Sequence, residues 1–595
     1  MKRNYTLFFL FMFLLINNAL KAQEVVNGGF ELSNQQGMAR NWITDDAKGQ
    51  FKIGLNKKEF HSGKHSLELN GIGSKTEENT NGIAANVYGS RSSTKVKAVQ
   101  LSGWMKSSGR LDTSVALFIQ KGARIIRVKC TLAAKKGWNK LVLNYDIPAG
   151  ETWYRFYYGI EAQSGSQVWL DDLILTVNGM KINDPKSLYQ EPTQKQIKWL
   201  SRNAYPIAQL EAGKPDQDLS QIGTAVGNAR IVGIGEPTHG TSEAAKLKTR
   251  ILEFLVKQKG FTTLALEESI ATCNQMNGLL NADVPALKDS LLSMPFYKLW
   301  KTQEMLDLFI WVNRYNLSHD QKIKFIGFDM EDLGLKNSRR MLRAYGEKNN
   351  KEIHLQTLRF DKDLDSLITL SRISMDNDET LRAAKLVKRD LVGLDSTIRL
   401  GAKINDKEML FELNSYIRVC KQWIESRFFT GNRDEYMAEN INIYLQAHPE
   451  EKIFLWAHNF HVASVNTDGQ KTMGCFLKEK YNGHYFPFSI TTGGGSYMAA
   501  PDYGQKIWKS YNLERPYPGT YEYVLSKISP DNYFINFSTG IRASAASWLR
   551  MPMKQLDQGY IYYGDENYIN HGTLMQSFNG LFFIRNTTAS HSLIR

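Results

Sequence analysis

The sequence predicts an all-β sandwich followed by an α/β unit with a largely parallel sheet. Three observations carry that prediction. Short alternating apolar runs fill the first part of the chain. Long amphipathic stretches interleave with β-rich runs in the remainder. Four of those later runs each end on an acid or a histidine.

The elements follow in chain order. Lys2 and Arg3 precede an apolar run from Leu7 to Ile16, and the small residue Ala22 follows. This pattern predicts a cleaved export signal over residues 1–22, hence a periplasmic or secreted protein. The run is shorter than the roughly 20 apolar residues of a membrane span, so no stable membrane insertion is expected. Residues 23–179 read as a sandwich. Its candidate strands are Val96 to Trp104, Thr113 to Gln120, Arg124 to Thr131, Leu141 to Ile147, Trp153 to Ile160 and Val168 to Val177, several of them separated by Gly, Ser and Asn clusters. Residues 180–195 carry two prolines and little apolar content, and read as a linker. Residues 196–595 supply the α/β unit, with candidate helices at Ala244 to Lys259, Gln303 to Tyr315 and Glu379 to Arg399.

Composition excludes several classes. At 42% hydrophobic and 23% charged residues, the 595-residue chain is neither disordered nor fibrous. The formal net charge of +14 is spread along the sequence and interleaved with acids, so no nucleic-acid partner is expected. Cys130, Cys273, Cys420 and Cys475 are far apart and form no C-x-x-C pair, which specifies no disulfide framework.

The four polar-ended runs point to a site. Ile231–Gly235 leads into Glu236, Thr262–Leu266 into Glu267, Ile323–Phe328 into Asp329, and Ile453–Ala457 into His458. Parallel strands bring their carboxyl ends to one edge, where ligands bind in open α/β sheets. The loop Gly235-Glu-Pro-Thr-His-Gly240 places Glu236 and His239 on a tight turn before a helix, with Thr241 or Ser242 as its N-cap. His458-Asn-Phe-His461 can put both imidazoles on one face of a helical turn. Three chemistries are open to such a set. Ser242 could act as a nucleophile, although Gly240-Thr-Ser-Glu-Ala244 departs from the Gly-x-Ser-x-Gly elbow. A histidine could activate water, with a carboxylate fixing its tautomer. A metal could sit on Glu236, His239, Glu267, His458 and His461, although His-Glu-x-x-His is absent. Cys273 reads as a buried helix residue. Lys248, Glu304 and Asp329 are the candidates for substrate contact, and Asp329 also suits a helix cap.

Gly235-Glu-Pro-Thr-His-Gly, Phe261-Thr-Thr-Leu-Ala-Leu-Glu267, Trp311-Val-Asn-Arg-Tyr-Asn316, Gly327-Phe-Asp329, Ala457-His-Asn-Phe-His-Val462 and the closing Gly580 to Ala589 resemble the erythromycin esterase family in order and spacing. The resemblance spans about Lys195 to the C-terminus. It implies hydrolysis of a carboxylic ester or lactone, macrolide antibiotics included, with a His general base on water, no covalent intermediate and no required cofactor. Glu236, His239, Glu267, His458 and His461 match the catalytic positions. The family carries an Arg nine residues after the loop His; here that position is Lys248, which keeps the charge and loses the fork. Arg250 lies about 200° round the helix from it.

Asn27-Gly-Gly-Phe-Glu31 and Trp169-Leu-Asp-Asp-Leu-Ile174 resemble carbohydrate-binding jelly rolls, which implies a glycan partner and a structural calcium on Glu31 and Asp172. Trp42, Trp104 and Trp153 would stack on sugar or fill the core.

Overall fold

The structure is a computed structural model. It describes residues 27–33, 37–40, 42–46, 51–71, 81–89, 96–107, 115–121, 124–129, 137–151, 153, 155–163, 167–182, 191–283, 287–332, 334–372, 377–401, 407–465, 471–501, 508–537, 541–551, 553–562, 568–570 and 573–594. The expected export signal, Cys130 and half of the expected linker lie outside these residues.

The first part of the chain forms two antiparallel sheets. One runs in the order β1 (Ile43–Asp46), β4 (Asn81–Gly89), β9 (Arg155–Gln163), β6 (Val115–Lys121), β7 (Arg124–Lys129). The other runs β2 (Phe51–Asn56), β3 (Ser66–Gly71), β10 (Gln167–Val177), β5 (Ala98–Ser107), β8 (Asn139–Asp146), with β11 (Met180–Ile182) beside β10. Alternation explains the layering, because successive side chains point to opposite faces. Leu67 and Leu69, Leu117 and Ile119, and Leu141 and Leu143 turn inward into one core shared by both sheets. Trp42 and Trp153 fill that core. Trp104 stays outside it, stacked 4.1 Å from the His61 ring at an interplanar angle of 12°.

The second part is built on an eight-stranded sheet. Its strands are β12 (Tyr205–Pro206), β13 (Ile231–Ile234), β14 (Thr263–Ser269), β15 (Lys324–Asp329), β16 (Ile453–Trp456), β17 (Tyr485–Thr492), β20 (Asn532–Asn536) and β23 (Gly580–Ile584). Two further antiparallel pairs lie outside this sheet, β18 (Ser496–Ala499) with β19 (Lys509–Asn512), and β21 (Lys554–Leu556) with β22 (Tyr568–Asn570). The order across the sheet is β12-β20-β23-β17-β13-β16-β14-β15. Pairs from β23 to β15 are parallel, whereas β20 pairs antiparallel with β23 and with β12. The expected largely parallel sheet is therefore amended to a mixed one. The antiparallel strands lie at one edge, where no crossover helix is required, and neither leads into an acid or a histidine as β13, β14, β15 and β16 do.

Helices cover the sheet. Ser242–Lys259, Gln303–Ser318 and Asp378–Gly401 enclose the three expected helical stretches, and Ile270–Leu280 adds a further helix that carries Cys273. Lys336–Asn349, Lys351–Ser371, Asp378–Gly401 and Lys407–Phe428 form a helical annex with its own core around Leu364, Leu391 and Ile417. Cys273, Cys420 and Cys475 are buried.

A buried ion pair connects the two parts. Arg40 Nη1 lies 2.7 Å from Glu514 Oε1, with side chains 6% and 1% exposed. The Arg40 guanidinium also sits 3.5 Å above the Tyr517 ring.

Candidate active site

The four polar-ended runs are adjacent in the sheet, in the order β13-β16-β14-β15. Their shared direction carries Glu236, His458, Glu267 and Asp329 to one edge, as parallel pairing requires.

Glu236 leaves β13 and is buried. Its Oε1 is 2.8 Å from His239 Nδ1. Its Oε2 accepts from Lys248 Nζ at 2.7 Å and from Trp456 Nε1 at 3.0 Å. The loop is tight because other chain approaches it: a Cβ on Gly235 would meet Asn459 Oδ1 at 2.2 Å, and one on Gly240 would meet Met498 O at 2.1 Å. Thr241 is the N-cap of the following helix, without a side-chain capping bond. Ser242 is fully buried there.

Lys248 lies on the helix stripe of Ala244, Leu247, Ile251 and Leu252 and is 0% exposed. It also donates to Ala457 O at 3.1 Å and lies 4.7 Å from the Trp456 ring. Burial pushes its ammonium down to about 8, against the pull of Glu236. Burial raises Glu236, but Lys248 and His239 more than offset this and hold its carboxyl below the usual range. Lys248 thus keeps Glu236 ionised and does not line the cavity at His239. Arg250 points elsewhere, to Asp218 Oδ1 at 2.5 Å and Gln209 O.

His458 stacks obliquely on His239, with ring centroids 5.0 Å apart. Its backbone N–H donates to Glu267 Oε2 at 3.0 Å. Its Nδ1 accepts from Phe460 N at 3.4 Å, capping the short turn Asn459–Val462, while Nε2 lies 3.3 Å from Pro237 O and 3.6 Å from Asp557 Oδ1. Burial pushes this imidazole down to about 4, although Asp557 opposes the shift. His461 differs. Burial pulls it down, but Asp434 and Glu267 more than offset that and raise it above the ordinary value. Its Nδ1 is 2.8 Å from Asp434 Oδ1 and its Nε2 is 3.3 Å from Glu267 Oε1. Glu267 is buried too, yet His461 and Arg433 hold it well below the usual carboxylate range.

Arg433 and Asp434, which open helix Arg433–Ala447, are members the sequence reading missed. Arg433 donates to Asp329 Oδ2 at 2.5 Å, to Asp329 Oδ1 at 3.1 Å and to Glu267 Oε1 at 3.1 Å, and its side chain is 34% exposed. Asp557 is a third, on an irregular segment after β21. An Arg-Asp pair just after the helix cap Asn432 was the available signal for the first two; Asp557 had none.

Glu304 stands apart from this cluster. It accepts from the His591 backbone, and His591 Nδ1 lies 2.7 Å from its Oε1. Beside His239 opens a cavity of about 170 Å³, bounded also by Thr302, Trp508 and Ser590.

The site does not suit a metal. The carboxylates of Glu236 and Glu267 already face the cations of Lys248 and Arg433, and among the described residues no three His, Cys, Asp or Glu side chains gather as ligands. The expected calcium ligands are arranged differently too. Glu31 Oε1 accepts from the backbone of Lys64 and His65 at 2.7 and 3.0 Å. Asp172 takes the Ser62 hydroxyl at 2.8 Å and His61 Nδ1 at 2.7 Å. Both carboxylates pin the 61–65 turn through these donors, which does not fit a cation cage.

Fold and site together define an esterase-type hydrolase. A family model described as Erythromycin esterase matches residues 256–587, more than half of the chain, and the chain belongs to that family. The matched span starts after the Gly235–Gly240 loop. The chain is 24% identical over 426 residues to "Putative hydrolase YbfO" of Bacillus subtilis (strain 168), covering 66% of this chain and 91% of that one. It is 23% identical over 372 residues to erythromycin esterase type II of Escherichia coli, covering 57% and 88%. The solved structure of a mutant erythromycin esterase in its open conformation shares the fold, with a TM-score of 0.52 at 17% identity, covering 65% of this chain and 98% of that one.

Proposed function

We propose that this protein hydrolyses a carboxylic ester, lactones included, with His239 as general base on water. The observation that carries the reading is the 2.8 Å contact between Glu236 Oε1 and His239 Nδ1, on a ring whose other side borders the cavity. That bond assigns the proton to Nδ1 and leaves Nε2 as the basic atom. Water attacks the ester carbonyl while Nε2 takes its proton. Glu236, kept ionised by Lys248, steadies the imidazolium. The tetrahedral intermediate collapses, the alcohol oxygen leaves, and His239 returns the proton to it. The helix Ser242–Lys259 begins three residues after His239, so the positive end of its dipole favours the developing oxyanion. His458 stays neutral and His461 stays paired with two carboxylates; both hold the cluster rather than move protons.

General base catalysis supplies about 10²- to 10⁴-fold. His239→Ala should abolish turnover in a mass-spectrometric screen of erythromycin and acylated sugars while leaving the circular dichroism unchanged. Full activity in that variant would sink the assignment.

Two further parts of the reading rest on the first part of the chain. The basic start and apolar run favour export to the periplasm or medium, which N-terminal sequencing of the mature protein checks. Trp104 lies outside the sandwich core, with Trp138 5.8 Å from the His61 ring, and this favours glycan binding there. Affinity electrophoresis in polysaccharide gels, with Trp104→Ala as control, tests it.

A further inference from the structure

The segment 588–594 forms one wall of the cavity at His239. Backbone hydrogen bonds stitch it in place: Ser242 N to Thr588 O at 2.9 Å, Ser590 N to Gly240 O at 2.9 Å, Gln303 N to His591 O at 2.8 Å and Leu593 N to Lys301 O at 2.9 Å. The buried Glu304 carboxylate holds His591 by its backbone and its ring. Ser590, Ser592 and Ile594 line the cavity with Trp508 and with Thr302, which is bridged to Ser592, and His239 borders the same space.

We propose that this segment is a selectivity strap. It admits against His239 one small, oxygen-bearing group of the ester, about the bulk of a single six-membered ring, and excludes larger groups. The inference rests on the ester-hydrolase reading above and adds the size and polarity of what is cleaved.

Volume sets the size. A cavity of about 150 Å³ accommodates one benzene ring, whereas sites for drug-sized ligands run from about 300 to 1,000 Å³. At about 170 Å³ this cavity takes one ring, and no more than part of a macrolide. Its lining sets the polarity. Ser592 Oγ already donates to Ile594 O at 2.8 Å and Thr302 Oγ1 accepts from Met305 N at 3.3 Å, so Ser590 and the remaining O–H of Thr302 are the hydroxyl donors left for ring or chain oxygens, and the Trp508 indole offers a flat apolar face. A hydroxylated ring satisfies both. Glu304, a candidate for substrate contact, instead anchors the strap from outside.

Two variants test the strap, each with two readouts. Ser592→Trp fills the cavity, and Ile594→Ala widens it. The first readout is kcat/KM for p-nitrophenyl acetate and p-nitrophenyl laurate. The second is the rate at which diethyl pyrocarbonate labels His239, followed by peptide mass, which needs no turnover. Ser592→Trp should lower both by at least about tenfold, and Ile594→Ala should raise the laurate-to-acetate ratio by about tenfold. If Ser592→Trp fails to fold, Ile594→Ala alone decides, through the ratio and through faster labelling. Unchanged labelling, or an unchanged ester profile in an active enzyme, overturns the strap. Labelling that responds in a protein inert towards every ester leaves the strap standing and removes the hydrolase reading instead.

Discussion

Replacing His458 by Asn should make the protein less sensitive to acid between about pH 6.5 and 4. In the folded state burial lowers this imidazole from 6.5 to about 4. Unfolded chains therefore bind a proton at His458 throughout that window, and folded chains do not. Stability must fall as pH falls through it. The fall from 6.5 to about 4 corresponds to about 3 kcal/mol. His458 is 4% exposed, so solvent screening takes little from that figure. His461 contributes nothing to this slope. Its folded value is raised, so its stabilisation is complete below about 6.5 and is lost only as pH rises through the higher folded value. Glu236 and Glu267 act lower still, since their folded values lie below 4.5 and their stabilisation is lost as pH falls through them. Asn keeps a side-chain oxygen where Nδ1 accepts from Phe460 N, so the turn remains capped. Urea unfolding at half-unit steps from pH 7.5 to 4 gives the comparison. The wild-type curve should lose about 3 kcal/mol more than the variant over the window. Parallel curves would refute the reasoning, because they would mean that His458 titrates alike in both states.

Other outcomes follow from the same cluster. Lys248→Met leaves the Glu236 carboxylate buried without its cation. Stability should drop by about 3–5 kcal/mol, and the acidic limb of the pH–rate profile should move to higher pH, read by kcat/KM across pH 5–9. Arg433→Gln removes the donors to Asp329 and Glu267; it should lower the melting midpoint and weaken substrate turnover by about tenfold or more, with a chemical-shift change at His461 in NMR spectra. Asp434→Asn should lower the pKa of His461, measured by the same titration, because the carboxylate at 2.8 Å is a chief source of its upward shift.

Much of this architecture is legible in the sequence, for a definite reason. Apolar runs that stop on an acid or histidine encode both a buried strand and its polar carboxyl end, and Glu236, Glu267, Asp329 and His458 announce four neighbouring strands. The edge strand Asn532–Asn536 carries no such ending, so the mixed character of the sheet stays hidden. Lys248 could have been placed more closely. A lysine flanked by Ala244, Leu247, Ile251 and Leu252 at helical spacing sits on the buried stripe, where it serves a carboxylate rather than a substrate. Arg433 and Asp434 act through the start of a helix distant in sequence, and Asp557 through an irregular segment; neither place has a periodicity to read. Ser590 to Ile594 become part of the cavity only through backbone pairing with loops 240–242 and 301–303, which no side-chain pattern records.

The Arg40–Glu514 contact makes the halves of the chain interdependent. Expressed alone, the later part would present Glu514 stripped of its guanidinium, and the earlier part would present Arg40 without its acid. A foreign sandwich that covered Glu514 without supplying a cation would leave that charge buried and unpaired, at a cost of about 3–5 kcal/mol. Grafting a foreign sandwich onto this hydrolase therefore requires an arginine at the corresponding place, and limited proteolysis between the halves should yield a nicked but undissociated particle on gel filtration.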